Sequence, residues 1–285
     1  MFPDIGTPIA DAVNRFVDWL VVEHGAFFES IANAILVVLV AIEQALRHAP
    51  PLLILAAVGL IAFAASRSVL LSLVMVALAW LIGGLGLWEQ AMQTVALLVV
   101  AVGLSILLGI PIGVLIARSA IARALITPVL DLMQTIPSFV YLIPAAMLFG
   151  LGKVPAILAT VIYATPPLVR LTDLGIREVD REVIEASRAF GAARWQMLTG
   201  VQIPLALPSI MQGINQTTMM ALAMVVIASM IGARGVGETV LIGLQRNDPG
   251  LGLVGGLAIV ILAVIFDRVS QAFGRRLQTH RSARS

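Results

Sequence analysis

From Trp195 to Ala233 the chain reads WQMLTGVQIPLALPSIMQGINQTTMMALAMVVIASMIGA, 39 residues without an Asp, Glu, Lys, Arg or His. Pro249 to Phe266 is equally bare. Soluble domains carry charge on roughly a quarter of their residues and are about half apolar. Here 12% of 285 residues are charged, 60% are hydrophobic and the mean hydropathy is +1.02. Those values exclude a soluble globular enzyme, a disordered chain and a nucleic-acid-binding domain. The chain is predicted to be an all-α, polytopic membrane protein.

The residue inventory narrows the chemistry. There is no cysteine, so disulfides, thiolate chemistry and Cys-based metal sites are excluded. His24, His48 and His280 lie far apart at loops or termini and do not read as a metal site. The single lysine, Lys153, is followed by Val154, whereas a P-loop needs Ser or Thr there. No Walker A site exists on this chain, and any ATP it depends on is bound by another protein. Net charge is +2, and the arginines report orientation rather than an anionic ligand.

Met1 to Ala10 has no basic region and does not read as a signal peptide. Ile9, Val13, Phe16, Val17, Leu20 and Val21 recur at helical spacing, with Asp11, Asn14, Arg15 and Asp18 opposite. Residues 1–26 are therefore predicted to form an amphipathic helix along the membrane surface or against neighbouring helices. Spanning a bilayer takes roughly 20 apolar residues. The candidates are Phe27–Leu46, Leu52–Ala65, Val69–Leu87, Met92–Ala117, Pro128–Gly150, Pro155–Thr172, Ser209–Gly232 and Leu251–Ala272. The expected count is eight, or seven if one of the first two segments does not cross.

With eight crossings and the C-terminus inside, fourteen basic residues are cytoplasmic and four, Arg47, Lys153, Arg234 and Arg246, are outside. That split obeys the positive-inside rule, and Trp80 and Trp88 then fall near the outer interface. No internal repeat is apparent, unlike secondary transporters built from repeated halves.

The one large cytoplasmic loop runs Arg177-Glu178-Val179-Asp180-Arg181-Glu182-Val183-Ile184-Glu185-Ala186-Ser187-Arg188-Ala189-Phe190-Gly191, through Ala192–Thr199, to Ile203-Pro204. Val179, Val183, Ala186 and Phe190 form a helical stripe, and Gly191 is placed to terminate the helix at positive φ. A second short helix over Ala192–Thr199 carries Trp195, before Pro204 and Pro208 restart the chain toward the membrane. Composition leaves two readings open, an Arg/Trp-rich helix on anionic lipid and a protein-docking loop.

Glu185-Ala186-Ser187, then Gly191, then Ile203-Pro204 resembles the EAA loop of type I ABC importer permeases. Asp131-Leu132-Met133-Gln134-Thr135-Ile136-Pro137-Ser138-Phe139-Val140-Tyr141-Leu142-Ile143-Pro144 is similar to the glycine betaine/proline betaine permeases. So is Asn215-Gln216-Thr217-Thr218-Met219-Met220 through Ile227-Ala228-Ser229-Met230-Ile231. The similarity runs from about Trp88 to Ala272, more loosely upstream. Ser187 departs from the second Ala of many relatives but is small enough for the same packing. The resemblance implies that Glu185, Ala186, Ser187, Phe190, Gly191, Trp195, Ile203 and Pro204 couple the chain to an ATPase.

In the fifth span Thr127-Pro128 reads as N-cap and N1, which puts Asp131 in the first turn, favoured there by the helix dipole. Gln134, Ser138 and Tyr141 share one face, interrupted by Pro137 and Pro144; Gln212, Asn215, Gln216 and Met219 align in the seventh span. Polar side chains at this depth face partner helices or a water-filled path, so these are candidate pathway residues. No span carries an acid or base near its middle, which removes a proton relay. Aromatics are 6% of the chain, too few to assemble a cage for a quaternary ammonium, so capture is expected on a separate binding protein. Gly232-Ala233-Arg234-Gly235-Val236-Gly237-Glu238 imitates a phosphate loop, but no strand precedes it and a turn is expected.

The expected organisation is an amphipathic helix (1–26), accessory transmembrane helices (27–87), a type I core (88–272, coupling loop about 177–208) and a cytoplasmic tail (273–285). The resemblance implies an inner-membrane permease, not itself an enzyme, paired with a second copy, two cytoplasmic ATPases holding ATP and Mg, and a periplasmic binding protein. Membrane lipid is the remaining partner and nucleic acid is excluded. The implied cargo is a quaternary-ammonium compatible solute such as glycine betaine, proline betaine or choline, with carnitine or histidine as alternatives. A secondary transporter or a non-transporting scaffold are the competing classes.

Overall fold

The computed structural model describes residues 4–282, with side chains described as far as Gly274. Among the described residues all regular structure is helical. The chain enters its first helix at Asp4, whose Oδ1 accepts the N–H groups of Gly6 and Thr7 while Oδ2 accepts the Thr7 hydroxyl. The Thr7 hydroxyl and backbone N–H hold the Asp4 carboxyl below its ordinary range. From there α1 (Gly6–His48) runs 43 residues without a break. At 1.5 Å per residue it is about 65 Å long, twice the roughly 30 Å hydrocarbon core. The expected boundary between an amphipathic helix ending at residue 26 and a span from Phe27 is absent. Only Gly25 interrupts the pattern there, and one glycine costs a helix about 1 kcal/mol, too little to stop it.

Two short helices follow, α2 (Pro51–Ser66) and α3 (Val69–Gly84). Pro51 starts α2 at a position that needs no N–H. Arg67 ends it in the left-handed conformation (φ 56°), and Ser68 Oγ accepts the Leu71 N–H to start α3. Next come α4 (Trp88–Arg118) and α5 (Ala120–Thr135). Ser119 Oγ caps α5 by accepting the Ala122 N–H at 3.2 Å. Pro128 therefore lies inside α5, and the expected start at Thr127-Pro128 is wrong. Asp131 is beyond the first turn and pairs with Arg170 instead of a helix dipole.

The fifth span is also not straight. α5 stops at Ile136, which Pro137 forces into the extended region (ψ 130°). A 3-10 turn (Ser138–Tyr141) then leads into α6 (Leu142–Phe149), and the two arms are bent by 106°. α7 (Lys153–Arg177) is the most enclosed of the long helices, buried along most of its length between α4 and the helix over Ile203–Ser229.

The loop helices are α8 (Arg181–Ala189) and α9 (Arg194–Met197). A π-turn (Leu198–Gln202) joins α9 to α10 (Ile203–Ser229). Pro204 and Pro208 do not restart the chain, because Arg194–Ser229 is one 36-residue helix. The π-turn absorbs the backbone mismatch just before Pro204, where the missing N–H would break an ordinary ladder. A turn containing Gly232 (φ 88°) leads to α11 (Val236–Gln245), whose first N–H donates to Thr94 Oγ1 at 2.9 Å. The chain closes with α12 (Pro249–Ser282). Helix thus continues through most of the expected tail, whose side chains beyond Gly274 and residues 283–285 lie outside the described residues.

Among the described residues, five helices are long and apolar enough to cross a membrane, or six when the bent pair is one span. The expected count of eight, or seven, is not confirmed by length, since α2 and α3 have 16 residues each, about 24 Å. Lipid tails are as apolar as leucine, so helices in a bilayer associate by close packing. Gly113 supplies that between α4 and α7, where an added Cβ would stand 2.5 Å from Thr172 Cβ. Gly175 does the same between α7 and α10, with Ser209 Cβ at 2.7 Å from such an atom. At the other end Glu43, buried on α1, accepts from the lone Lys153 of α7, while Arg47 pairs with Glu43 and with Glu89 of α4.

Candidate functional site

The loop between α7 and α10 is a rigid knuckle built by local rules. Asp180 Oδ1 accepts the Glu182 N–H at 2.9 Å and starts α8. Gly191 ends it at φ 79°, with Ala192 N–H donating to Ser187 O at 3.1 Å and Gly191 N–H to Arg188 O at 2.9 Å. That pair of bonds is a Schellman motif, which needs a residue free to adopt left-handed φ at this position. The Gln196 side chain then accepts the Ala193 N–H at 2.8 Å and starts α9. The helix ends at Gly191 as expected, whereas Trp195 lies not on a separate short helix over Ala192–Thr199 but in the first turn of the continuous helix Arg194–Ser229.

What the knuckle presents is unusual for a surface. Val179, Met197 and Leu198 are buried and root it in the bundle. Val183, Ala186, Phe190 and Trp195 are exposed, Phe190 at 94% and Trp195 at 67%. Burying an aromatic side chain of this size yields about 1.5–3 kcal/mol, and aromatic anchors of this kind are what protein interfaces bury. Glu185 stands exposed on the same helix. Ser187 turns its hydroxyl back to Val183 O at 2.8 Å, so it adds no free polar group to that face. Ile203 and Pro204 are half-buried where the knuckle rejoins α10.

Beneath the knuckle lies a charge cluster that sequence reading missed. Asp173, buried near the end of α7, accepts Arg177 Nε at 2.9 Å and Nη2 at 3.0 Å. It also accepts Arg123 Nη2 of α5 at 3.1 Å, and the same nitrogen donates to Ile116 O of α4 at 2.9 Å. Three helices are thus pinned together one turn before the loop begins. The Asp173/Arg177 spacing of four was readable as a helical pair; the 50-residue separation from Arg123 left no local signal.

The pathway candidates do not converge on one point. Tyr141 donates its hydroxyl to Met133 O at 2.9 Å, satisfying a carbonyl left free at the end of α5 and bracing the 106° bend. Gln134 is exposed on the same arm, Ser138 is half-buried in the 3-10 turn, and that turn packs against α10. On α10, Gln216 is exposed and Met219 packs into the core. Asn215 faces α12, where it donates to Asp267 Oδ1 at 3.0 Å. A polar cavity of about 390 Å³ lies beside this pair, lined by Gln212, Asn215, Ser270 and Gln271 among others. Asp267 was overlooked because it sits at the charged end of an apolar run.

Comparison with known proteins bears on this arrangement directly. The model of the family described as "Binding-protein-dependent transport system inner membrane component" matches residues 109–279, from within α4 into α12. The glycine betaine/proline betaine transport system permease protein ProW of Escherichia coli (strain K12) is 46% identical over 273 residues, covering 94% of this chain and 75% of that protein. The glycine betaine/carnitine transport permease protein GbuB of Listeria monocytogenes (serotype 1/2a, strain 10403S) is 42% identical over 284 residues, covering 97% and 99%. A chain from an inward-facing structure of the MetNI methionine ABC transporter superposes with a TM-score of 0.60 at 22% identity, over 65% of this chain and 93% of that one, a likeness of fold. The matched region holds the knuckle, its charged base and the bent span, and the chain belongs to the family of binding-protein-dependent transport system inner membrane components.

Proposed function

We propose that this chain is the permease subunit of an ATP-driven importer for a quaternary-ammonium compatible solute: glycine betaine, proline betaine or choline. The family implies ATPase and substrate-binding partners, and the substrate named for several relatives supports the cargo. Carnitine, named for three relatives, is the alternative cargo. The observation that carries the coupling role is the knuckle: an exposed apolar stripe and two exposed aromatics on a loop fixed by a Schellman turn.

In this reading the knuckle docks through Val183, Glu185 and Ala186 of α8, Phe190 at its end and Trp195 of α9 in a groove of a cytoplasmic ATPase, which holds the ATP and Mg. A second copy of the chain completes the pathway, with Gln134, Ser138 and Gln216 on the walls between copies. Closure of the ATPases moves the knuckle, and the Asp173 cluster carries that motion into α4, α5 and α7. The core is residues 88–272, with the earlier helices as accessories.

The C-terminus is cytoplasmic and eight segments cross. Ser68 lines a cavity with Arg268, which puts the α2–α3 turn level with the inner end of α12, so this short pair supports two crossings. The test is reconstitution with the partner ATPase and binding protein, measuring uptake of labelled glycine betaine. Uptake that needs ATP and binding protein is expected; uptake driven by an ion gradient without them would make the chain a secondary transporter.

A further inference from the structure

Among the ion pairs of the described residues, Asp131 with Arg170 is set apart by its place. Glu43 and Asp173 are buried, and Arg47 meets Glu89 at the ends of α1 and α4. Asp131 and Arg170 meet inside two candidate spans, about one turn before α5 ends and two turns, roughly 10 Å, before α7 ends. Both side chains are open, Asp131 at 57% and Arg170 at 43%. Ionisable groups within spans avoid lipid and face water or another polar surface.

The neighbouring residues extend that polar face. Gln134, exposed one turn further along α5, lies on the same side as Asp131. Tyr141 reaches back to Met133 O, beside Gln134. On α7, Tyr163 shares the face of Arg170 two turns away. Tyr141 and Tyr163, the only tyrosines of the chain, both pack on the cluster of Leu142, Ala159 and Met224. A track thus leads from the ion pair past Gln134 to two aromatic rings.

The pair uses little of its own capacity. Arg170 donates through Nη2 alone and Asp131 accepts through Oδ1 alone among the described residues, so most of the guanidinium fork and one carboxylate oxygen stay open. An exposed ion pair contributes little to stability and separates readily. A solute carrying both a carboxylate and a fixed cation can replace each partner with a charge of its own. Its carboxylate takes the Arg170 fork, and its trimethylammonium lies against Asp131. A solute with one charge leaves one partner without a counter-ion.

We infer that Asp131 and Arg170 recognise zwitterionic cargo, Arg170 holding the carboxylate and Asp131 the quaternary ammonium. On the importer reading above, on which this assignment rests, the pair separates glycine betaine and proline betaine from choline.

The chain is assembled with its ATPase, nucleotide-free in detergent, with Gln134→Cys as a reporter beside the pair. Its labelling by uncharged N-ethylmaleimide is timed against glycine betaine, choline and tert-butylacetate, the carboxylate in which carbon replaces the ammonium nitrogen. Glycine betaine should protect at about tenfold lower concentration than either single-charge solute, the worth of one charged contact. Arg170→Gln should raise the half-protecting concentration of glycine betaine about tenfold without raising that of choline. Asp131→Asn should do the same without raising that of tert-butylacetate. Both variants should melt like the parent, since the pair is exposed. No protection by glycine betaine, or a shift common to all three solutes with a lowered melting temperature, overturns the site and makes the pair a brace between helices. Uptake by the parent chain, reconstituted with ATPase and binding protein, is measured alongside. Working uptake with a failed pair leaves the importer reading standing, whereas absent uptake removes both.

Discussion

Asn215 on α10 donates its amide to the Asp267 carboxylate on α12 at 3.0 Å, so a side chain that spacing alone places on a candidate pathway face is occupied in joining two helices. Gln271 donates to the same oxygen at 2.7 Å. Asp267→Ala leaves two amides without an acceptor and should cost about 1–3 kcal/mol, read as a lower melting temperature of the solubilised protein. Unchanged melting with reduced uptake would return Asn215 to the pathway.

Asp173 should be the most sensitive carboxylate for folding. Its side chain is 10% exposed, while Arg123 and Arg177 are 34% and 44% exposed. Solvent screening keeps the loss in Asp173→Asn below the roughly 3–5 kcal/mol of a fully buried pair, at about 2 kcal/mol. Arg123→Gln should destabilise more than Arg177→Gln, because Arg123 also holds the Ile116 carbonyl. Denaturant melts of the three variants check the order.

Gly191→Val should leave insertion and solute binding by the partner protein intact while abolishing uptake and substrate-stimulated ATP hydrolysis. Nothing lies within 4 Å of an added Cβ, so the penalty is the left-handed backbone, roughly 1–2 kcal/mol for a residue with a Cβ. Glu185→Ala should be milder, as one exposed charge is worth up to about 1 kcal/mol. Both variants are compared in vesicles at matched protein level; normal coupling in Gly191→Val would make the knuckle a mere surface helix.

Tyr141→Phe removes the hydroxyl that braces the bend between α5 and α6. The expected loss is about 0.5–1.5 kcal/mol in stability. A cysteine at Gln134, in this cysteine-free chain, should then react faster with water-borne thiol reagents than in the Tyr141 background. An unaltered labelling rate would show that the bend is held by Pro137 alone.

The features legible in the sequence are those with a local cause. Gly191 needs only its own φ and the helix before it; Asp180, Ser68 and Ser119 cap helices within three residues, a local signal too, but one passed over in favour of Thr127-Pro128 at the start of α5. The resemblance carried by the strings around Glu185, Pro137 and Asn215 led to the family that the comparison shows. Long-range pairings were not legible. Arg123 with Asp173, Lys153 with Glu43 and Asn215 with Asp267 are joined across helices by a fold that periodicity cannot specify. Proline misled twice in the same way. Pro128 and Pro204 both suit a helix start, yet each sits within continuous helix, because Ser119 had already begun one helix and a π-turn rescued the other.

The unbroken helix from Arg194 to Ser229 makes the knuckle one end of a lever. It packs tightly on α7 where Ser209 meets Gly175, which makes that contact a natural fulcrum. Roughly 22 Å of helix lies on the loop side of that point and roughly 30 Å beyond it. A push on the loop-side arm is therefore returned enlarged and in the opposite direction at the far end, near Ser229 and the turn into α11. With no turn along the beam, a displacement at the loop end is tied to one of opposite sense near Ser229.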